Sequence, residues 1–192
     1  MPLKPIKRGY KVWVRSDENG YVCQFQIYVG KINNQPEKDL GQRVILDLTR
    51  DLVGKGYHVF FDNFFNSVSL QKTLQAEFTY ACGTVRANRK DVPNDLQSDK
   101  ELQTRGQSDC RVSKDGLAFI KSRDRKIVHF LGNHQNPSTE ATVARKQKDG
   151  NSQVIACPMM VKEYNQHMGY VDKTDMLKSV YEIDRKSKKW WH

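Results

Sequence analysis

One stretch limits the fold more than any other. Tyr57-His58-Val59-Phe60-Phe61 is a short apolar run, and Asp62-Asn63 ends it at once. A run of that length bounded by turn residues has the dimensions of a strand, not a helix. Just upstream, over 39–53, Leu40, Val44, Ile45, Leu48 and Leu52 fall on one helical face, with Gly54 and Gly56 marking the stop. Just downstream, over 66–76, Val68, Leu70 and Leu74 mark a second helix, with Asn66 or Ser67 as its N-cap. Thr79 to Val85 then reads as another strand. Strands and helices in such close alternation must share one sheet with helices packed on it, an α/β layout.

Two strands precede this unit. Tyr10-Lys11-Val12-Trp13-Val14 alternates polar and apolar residues, Asp17-Glu18-Asn19-Gly20 is a hairpin turn signal, and Tyr21 to Val29 returns. Residues 86–157 differ in texture. They are polar and Gly-punctuated, with strand patterns at 109–112, 117–121, 127–131, 142–145 and 154–156, and read as a β-rich insertion or a small second domain. Helical patterns return at 159–167, with Pro158 suited to the first turn, and from about 170 to 181.

The charge narrows the partners. The chain of 192 residues carries a net charge of +10, which points to a polyanion, nucleic acid above all. The excess is clustered. Lys4, Lys7, Arg8, Lys11 and Arg15 occur with no acid among them, while 16–81 is slightly acidic. Basic character returns at Arg86, Arg89 and Lys90, at Lys121, Arg123, Arg125 and Lys126, and at Arg185, Lys186, Lys188 and Lys189. Each cluster alone is compatible with a solvated surface; together they are read as DNA-phosphate contacts. The four cysteines are widely spaced, with no C-x-x-C pair for zinc. With no apolar signal core at the N-terminus they read as reduced thiols, and no apolar run is long enough to span a membrane.

Two acidic constellations could carry chemistry. Asp62 stands at the carboxyl end of a strand, where open α/β sheets bind their ligands. Asp172 and Asp175 are three residues apart, so on a helix their carboxylates share a face. Carboxylates from separate elements suit Mg²⁺. From spacing alone the metal signal is weak: acids three apart in a first helical turn are more often dipole-stabilising surface residues, and Asp62 has an even claim to a capping role.

Four segments together resemble the catalytic region of piggyBac-type transposases. They are Met1-Pro2-Leu3-Lys4-Pro5-Ile6-Lys7-Arg8-Gly9-Tyr10-Lys11-Val12-Trp13, Asp62-Asn63-Phe64-Phe65, Gly83-Thr84-Val85-Arg86-Ala87-Asn88-Arg89, and Tyr164-Asn165-Gln166-His167-Met168-Gly169-Tyr170-Val171-Asp172. Their order and spacing resemble the family over nearly the whole chain. The resemblance implies a ribonuclease-H-like core in which three aspartates hold two Mg²⁺ ions for DNA strand cleavage and transfer. Asp62 matches the second aspartate, Asp172 the third, and Asp175 a further acid near the metal.

The family's first aspartate lies on a strand upstream of the Pro-Leu-Lys-Pro segment at which this chain begins. The expectation is therefore a core lacking its first strand, with unpaired edges on the strands at 10–15 and 57–61, and a chain catalytically incompetent by itself. The expected organisation is a core over 1–88, the β-rich insertion over 89–157 and core helices over 158–192. The resemblance further implies DNA as partner, a nuclear location, and either a homo-oligomer or a full-length transposase as companion. A domesticated DNA-binding or interaction module, and a transposon relic, stay open as alternatives.

Overall fold

The structure is a computed structural model that describes residues 10–31, 35, 37–147 and 150–180. It opens with an antiparallel ribbon, β1 (Val12–Ser16) and β2 (Val22–Ile27). Gly20, at φ 82°, makes the left-handed turn that the Asn-Gly pair announces, and Asp17 Oδ1 accepts the Asn19 and Tyr21 amides.

Helix α1 (Leu40–Thr49) buries Val44, Ile45 and Leu48. It is shorter than its apolar period predicts, and a 3-10 turn, Arg50–Leu52, takes up the remainder. The Thr49 hydroxyl donates back to the Ile45 carbonyl (2.7 Å), a bond that competes with helix continuation, and Gly54 follows at φ 73°. Then come β3 (His58–Phe61), α2 (Val68–Ala76) and β4 (Tyr80–Val85). Three further strands follow, β5 (Ser108–Val112), β6 (Ala118–Arg123) and β7 (Ile127–Gly132). The described chain ends with the ribbon β8 (Glu140–Lys146) and β9 (Ser152–Pro158), then α3 (Met159–His167) and α4 (Tyr170–Val180).

The main sheet has five strands in the order β3-β4-β7-β6-β5; β3 and β4 are parallel and the others antiparallel. The segment expected as an insertion shares the main sheet with β3 and β4. Its strands β5, β6 and β7 extend the sheet that β3 and β4 begin, because Cys82 to Val85 pair with His129 to Gly132.

Side-chain alternation splits the core between two faces. Ala81 and Phe61 meet Leu70 and Leu74 of α2, together with Ile45 of α1. Cys82, Ile120 and Phe130 meet Met160, Val161 and Tyr164 of α3 on the other face. Gly83 has no alternative occupant, because a Cβ there would lie 2.3 Å from the Phe61 carbonyl oxygen.

Six strands have a single partner among the described residues, and two of them, β1 and β3, border the same cleft. Among the described residues β1 pairs only with β2, and β3 only with β4. Every residue of β1 and of β3 lines one cleft of about 1340 Å³, which also takes Ile45 and Leu48 of α1 and His167, Met168 and Val171 from the α3–α4 corner.

Candidate metal and DNA site

Asp62 follows the last residue of β3 and lies on the cleft. The exposed side chain closes a tight turn: Oδ1 accepts the Phe64 amide at 2.8 Å, while the Asp62 carbonyl accepts the Phe65 and Asn66 amides. It is not the cap of α2. Ser67 takes that role, its hydroxyl accepting the Leu70 amide at 3.2 Å. Oδ2 makes no hydrogen bond among the described residues.

The turn is held by a buried amide network. Asn66, fully buried, donates from Nδ2 to the carbonyls of Gly83 (2.9 Å) and Leu131 (3.1 Å), and its Oδ1 accepts from Gln71 Nε2 (3.0 Å). Asn133, also buried, accepts the Ala81 amide and donates to the carbonyls of Gln71 and Thr79. The network ties the chain just after Asp62 to both β4 and β7. Sequence reading saw Asn66 only as a capping residue; its partners are 17 and 65 residues away, and no local pattern names them.

The aromatic residues of the Asp62 box pack as core, as their composition predicts. Phe61 is buried, and Phe64 stacks on Trp13 with ring centroids 5.3 Å apart. Arg86 and Arg89 turn back onto the box. Arg86 Nε donates to Asn63 Oδ1 (3.3 Å), and Arg89 donates to the carbonyls of Asn63 (3.1 Å) and Phe64 (2.7 Å). Arg89 is thus committed to the turn, while Lys90 stays exposed.

The other acids lie on α4. Lys173 Nζ and Thr174 Oγ1 donate to the carbonyls of Glu18 and Gly20, which seats this helix on the β1–β2 turn. Asp172 and Asp175 are exposed. Val171 lines the cleft with Asp62, but neither aspartate does; Glu163 of α3 does, an acid that sequence reading passed over. Among the described residues no group of three or more His, Cys, Asp or Glu side chains is placed to hold a metal ion.

Tyr164, beneath the site, holds its phenol against Thr84 Oγ1 (3.5 Å). Burial pushes that phenol up, and the charge of Asp62 acts in the same direction.

The remaining basic residues divide. Lys121 points inward, with Nζ 2.7 Å from Asp99 Oδ1 and donating to the Gln97 carbonyl at 2.6 Å, so it is not a free phosphate contact. Arg123 is half-buried at the end of β6, and Arg125 and Lys126 are exposed on the β6–β7 turn. Arg185, Lys186, Lys188 and Lys189 lie outside the described residues.

Comparison with known proteins supplies the family. The model of the family described as Transposase IS4 matches residues 1–192. The human PiggyBac transposable element-derived protein 3 is 34% identical over 98% of this chain and 33% of its own length. The human PiggyBac transposable element-derived protein 2 is 28% identical over the same shares. Among solved structures, the cryo-electron-microscopy structure of the piggyBac transposase synaptic complex with hairpin DNA superposes with a TM-score of 0.77. It is 25% identical and is covered to 99% of this chain and 38% of that one. The chain spans about a third of the length of these curated relatives. It belongs to the Transposase IS4 family, as a piggyBac transposase-derived domain.

Proposed function

We propose that this chain is a DNA-binding piece of a piggyBac-type transposase core that does not cleave DNA by itself. The observation that carries the reading is the cleft beside Asp62, which β1 and β3 both line with no strand paired between them among the described residues. A ribonuclease-H-like core with one strand wanting between β1 and β3 accounts for both open edges. That strand is the one on which the family resemblance sets the first aspartate.

Asp62, Asp172 and Asp175 are the metal-binding acids in this reading, with Mg²⁺ as the cation their hard oxygen donors suit. When bound, a pair of such ions activates a nucleophile and stabilises the leaving oxygen in phosphoryl transfer. The described residues fall short of that site, since they present carboxylates from two elements and no cluster of three. No cleavage step is assigned to them. What they do supply is an Asp62 turn held rigid by Asn66 and Arg89, beside a surface rich in cations. DNA is the partner in this reading, which implies a nuclear setting.

The test is metal-dependent cleavage of transposon-end DNA by the purified chain. No cutting is expected with Mg²⁺; robust cutting abolished by Asp62→Ala would refute the reading. Salt-dependent binding to duplex DNA without cleavage is the outcome expected of a domesticated DNA-binding module, a second reading that the cations at the carboxyl end of β4 and on the β6–β7 turn favour.

A further inference from the structure

The basic clusters that look separate in the sequence meet at one end of the sheet. Because β3 and β4 are parallel and β4 is antiparallel to β7, the carboxyl ends of β3 and β4 lie beside the β6–β7 turn. Asp62, Arg86 and the turn that carries Arg125 and Lys126 therefore share this end. Across the strands, β3 to β7 is two spacings and β3 to β6 three, or about 10–14 Å; along them, Asp62 is level with Phe130, and the Arg123–Ile127 pair lies three residues, about 10 Å, further out. A DNA strand carries one charge per about 3.4 Å of helix axis, so the combined span of about 14–17 Å matches four or five phosphates.

The turn is built as a cationic knob. Arg105 and Arg145, from distant parts of the chain, both reach Asp124: Arg105 Nε donates to Oδ1, and Arg145 Nε lies 3.4 Å from Oδ2. Backbone bonds clamp the 105–107 loop to the end of β6, with Gly106 donating to the Arg123 carbonyl and Arg123 to the Gln107 carbonyl, both at 2.8 Å. Arg125 donates to the Lys146 carbonyl at 3.4 Å. Arg105 and Arg145 thus meet at one acid, Asp124, while Arg125 reaches the backbone next to Arg145 and Lys126 lies exposed on the same turn. Arg125 and Lys126 are exposed and make no ion pair among the described residues. The cations of this turn and its neighbours outnumber the one acid they share, and a bound polyanion relieves the excess charge.

We propose that a duplex-DNA phosphate backbone runs along this sheet end, from the Asp62 turn past Arg86 to the knob formed by Arg105, Arg125, Lys126 and Arg145. The track rests on the DNA-binding reading above and gives it a location and a direction.

The test compares two double charge reversals by fluorescence anisotropy with a mixed-sequence DNA duplex, titrated with NaCl. Arg125→Glu with Lys126→Glu strikes the knob. Lys55→Glu with Lys114→Glu makes the same change in net charge at the opposite end of the sheet, where both residues are exposed. The knob pair is expected to weaken binding at least tenfold and to flatten the log–log salt slope by about 1.8, the value for two lost phosphate contacts. The control pair is expected to change the slope by less than about 0.5, the residue of non-specific charge. Thermal melts of both variants establish that they fold. Equal losses from the two pairs, or no loss from the knob pair, overturn the track while leaving DNA binding itself intact. Absence of duplex binding by the parent chain at low salt overturns the DNA reading and the track together.

Discussion

Replacing Asn66 tests how the Asp62 turn is held. The side chain is fully buried and makes three hydrogen bonds: two donated to the carbonyls of Gly83 and Leu131, one accepted from Gln71. Asn66→Ala removes all three. Each is worth about 1 kcal/mol net, and the carbonyls left behind lose a buried donor, so a loss of about 3–4 kcal/mol follows. Against a typical total of about 5–15 kcal/mol this is large but survivable. Urea denaturation reads it directly: with a slope of about 2 kcal/mol per molar, the midpoint drops by about 1.5–2 M at unchanged slope.

Asn66→Asp is the sharper variant. It preserves shape and the acceptor for Gln71 but sets a carboxylate against two carbonyl oxygens. At neutral pH it should be less stable than the alanine variant by more than about 1 kcal/mol, the cost of a buried charge without donors. Burial and the facing carbonyls raise its folded pKa above the unfolded value. Its stability relative to the parent is therefore recovered as pH falls, when the protonated acid can donate, and lost as pH rises through the folded pKa. An alanine variant within about 0.5 kcal/mol of the parent would refute the network as a source of stability. So would an aspartate variant equal to alanine at pH 7.

Three further outcomes follow from the same geometry. Asp62→Asn keeps an oxygen for the Phe64 amide and should melt like the parent, whereas Asp62→Ala should lose about 1 kcal/mol in the same thermal scan. Gly83→Ala drives a methyl onto the Phe61 carbonyl oxygen and should cost about 3 kcal/mol or more, read as loss of the cooperative melt near the parent temperature. The His134 imidazole is pushed down to about 4 by burial and by the neighbouring His58, while the Glu163 carboxylate stays 3.7 Å away. Acidification should therefore remove stability from about pH 6.5 down to pH 4, on the order of 2–3 kcal/mol, because the unfolded chain takes the proton first. His134→Phe should flatten that slope in melts between pH 7.5 and 5.

Most elements were legible because each follows from a local period. The apolar spacing of Leu40, Val44, Ile45 and Leu48 reports α1, and the Asn19-Gly20 pair reports the β1–β2 turn. The end of α1 departs from its apolar period, because Leu52 keeps the period while the Thr49 hydroxyl and the glycines behind it stop the helix. The sheet was harder. Nothing in 86–157 announces that β7 will pair with β4, since register between distant strands depends on tertiary packing. Lys121 and Arg89 illustrate the same limit for the site. In the sequence both belong to basic runs; in the fold one is buried against Asp99 and the other grips the Asn63 and Phe64 carbonyls.

The sequence by itself determined the family, the α/β alternation and the residue types at the turn after β3, because motifs and periods are local properties of the chain. Only the tertiary structure decided what surrounds Asp62. It ran β5, β6 and β7 into the sheet of β3 and β4, set β1 and β3 along one cleft, kept Asp172 and Asp175 off that cleft, and drew Arg105 and Arg145 together around Asp124. The physical reason is that burial, pairing and charge density depend on which distant segments meet, and neither period nor composition records that.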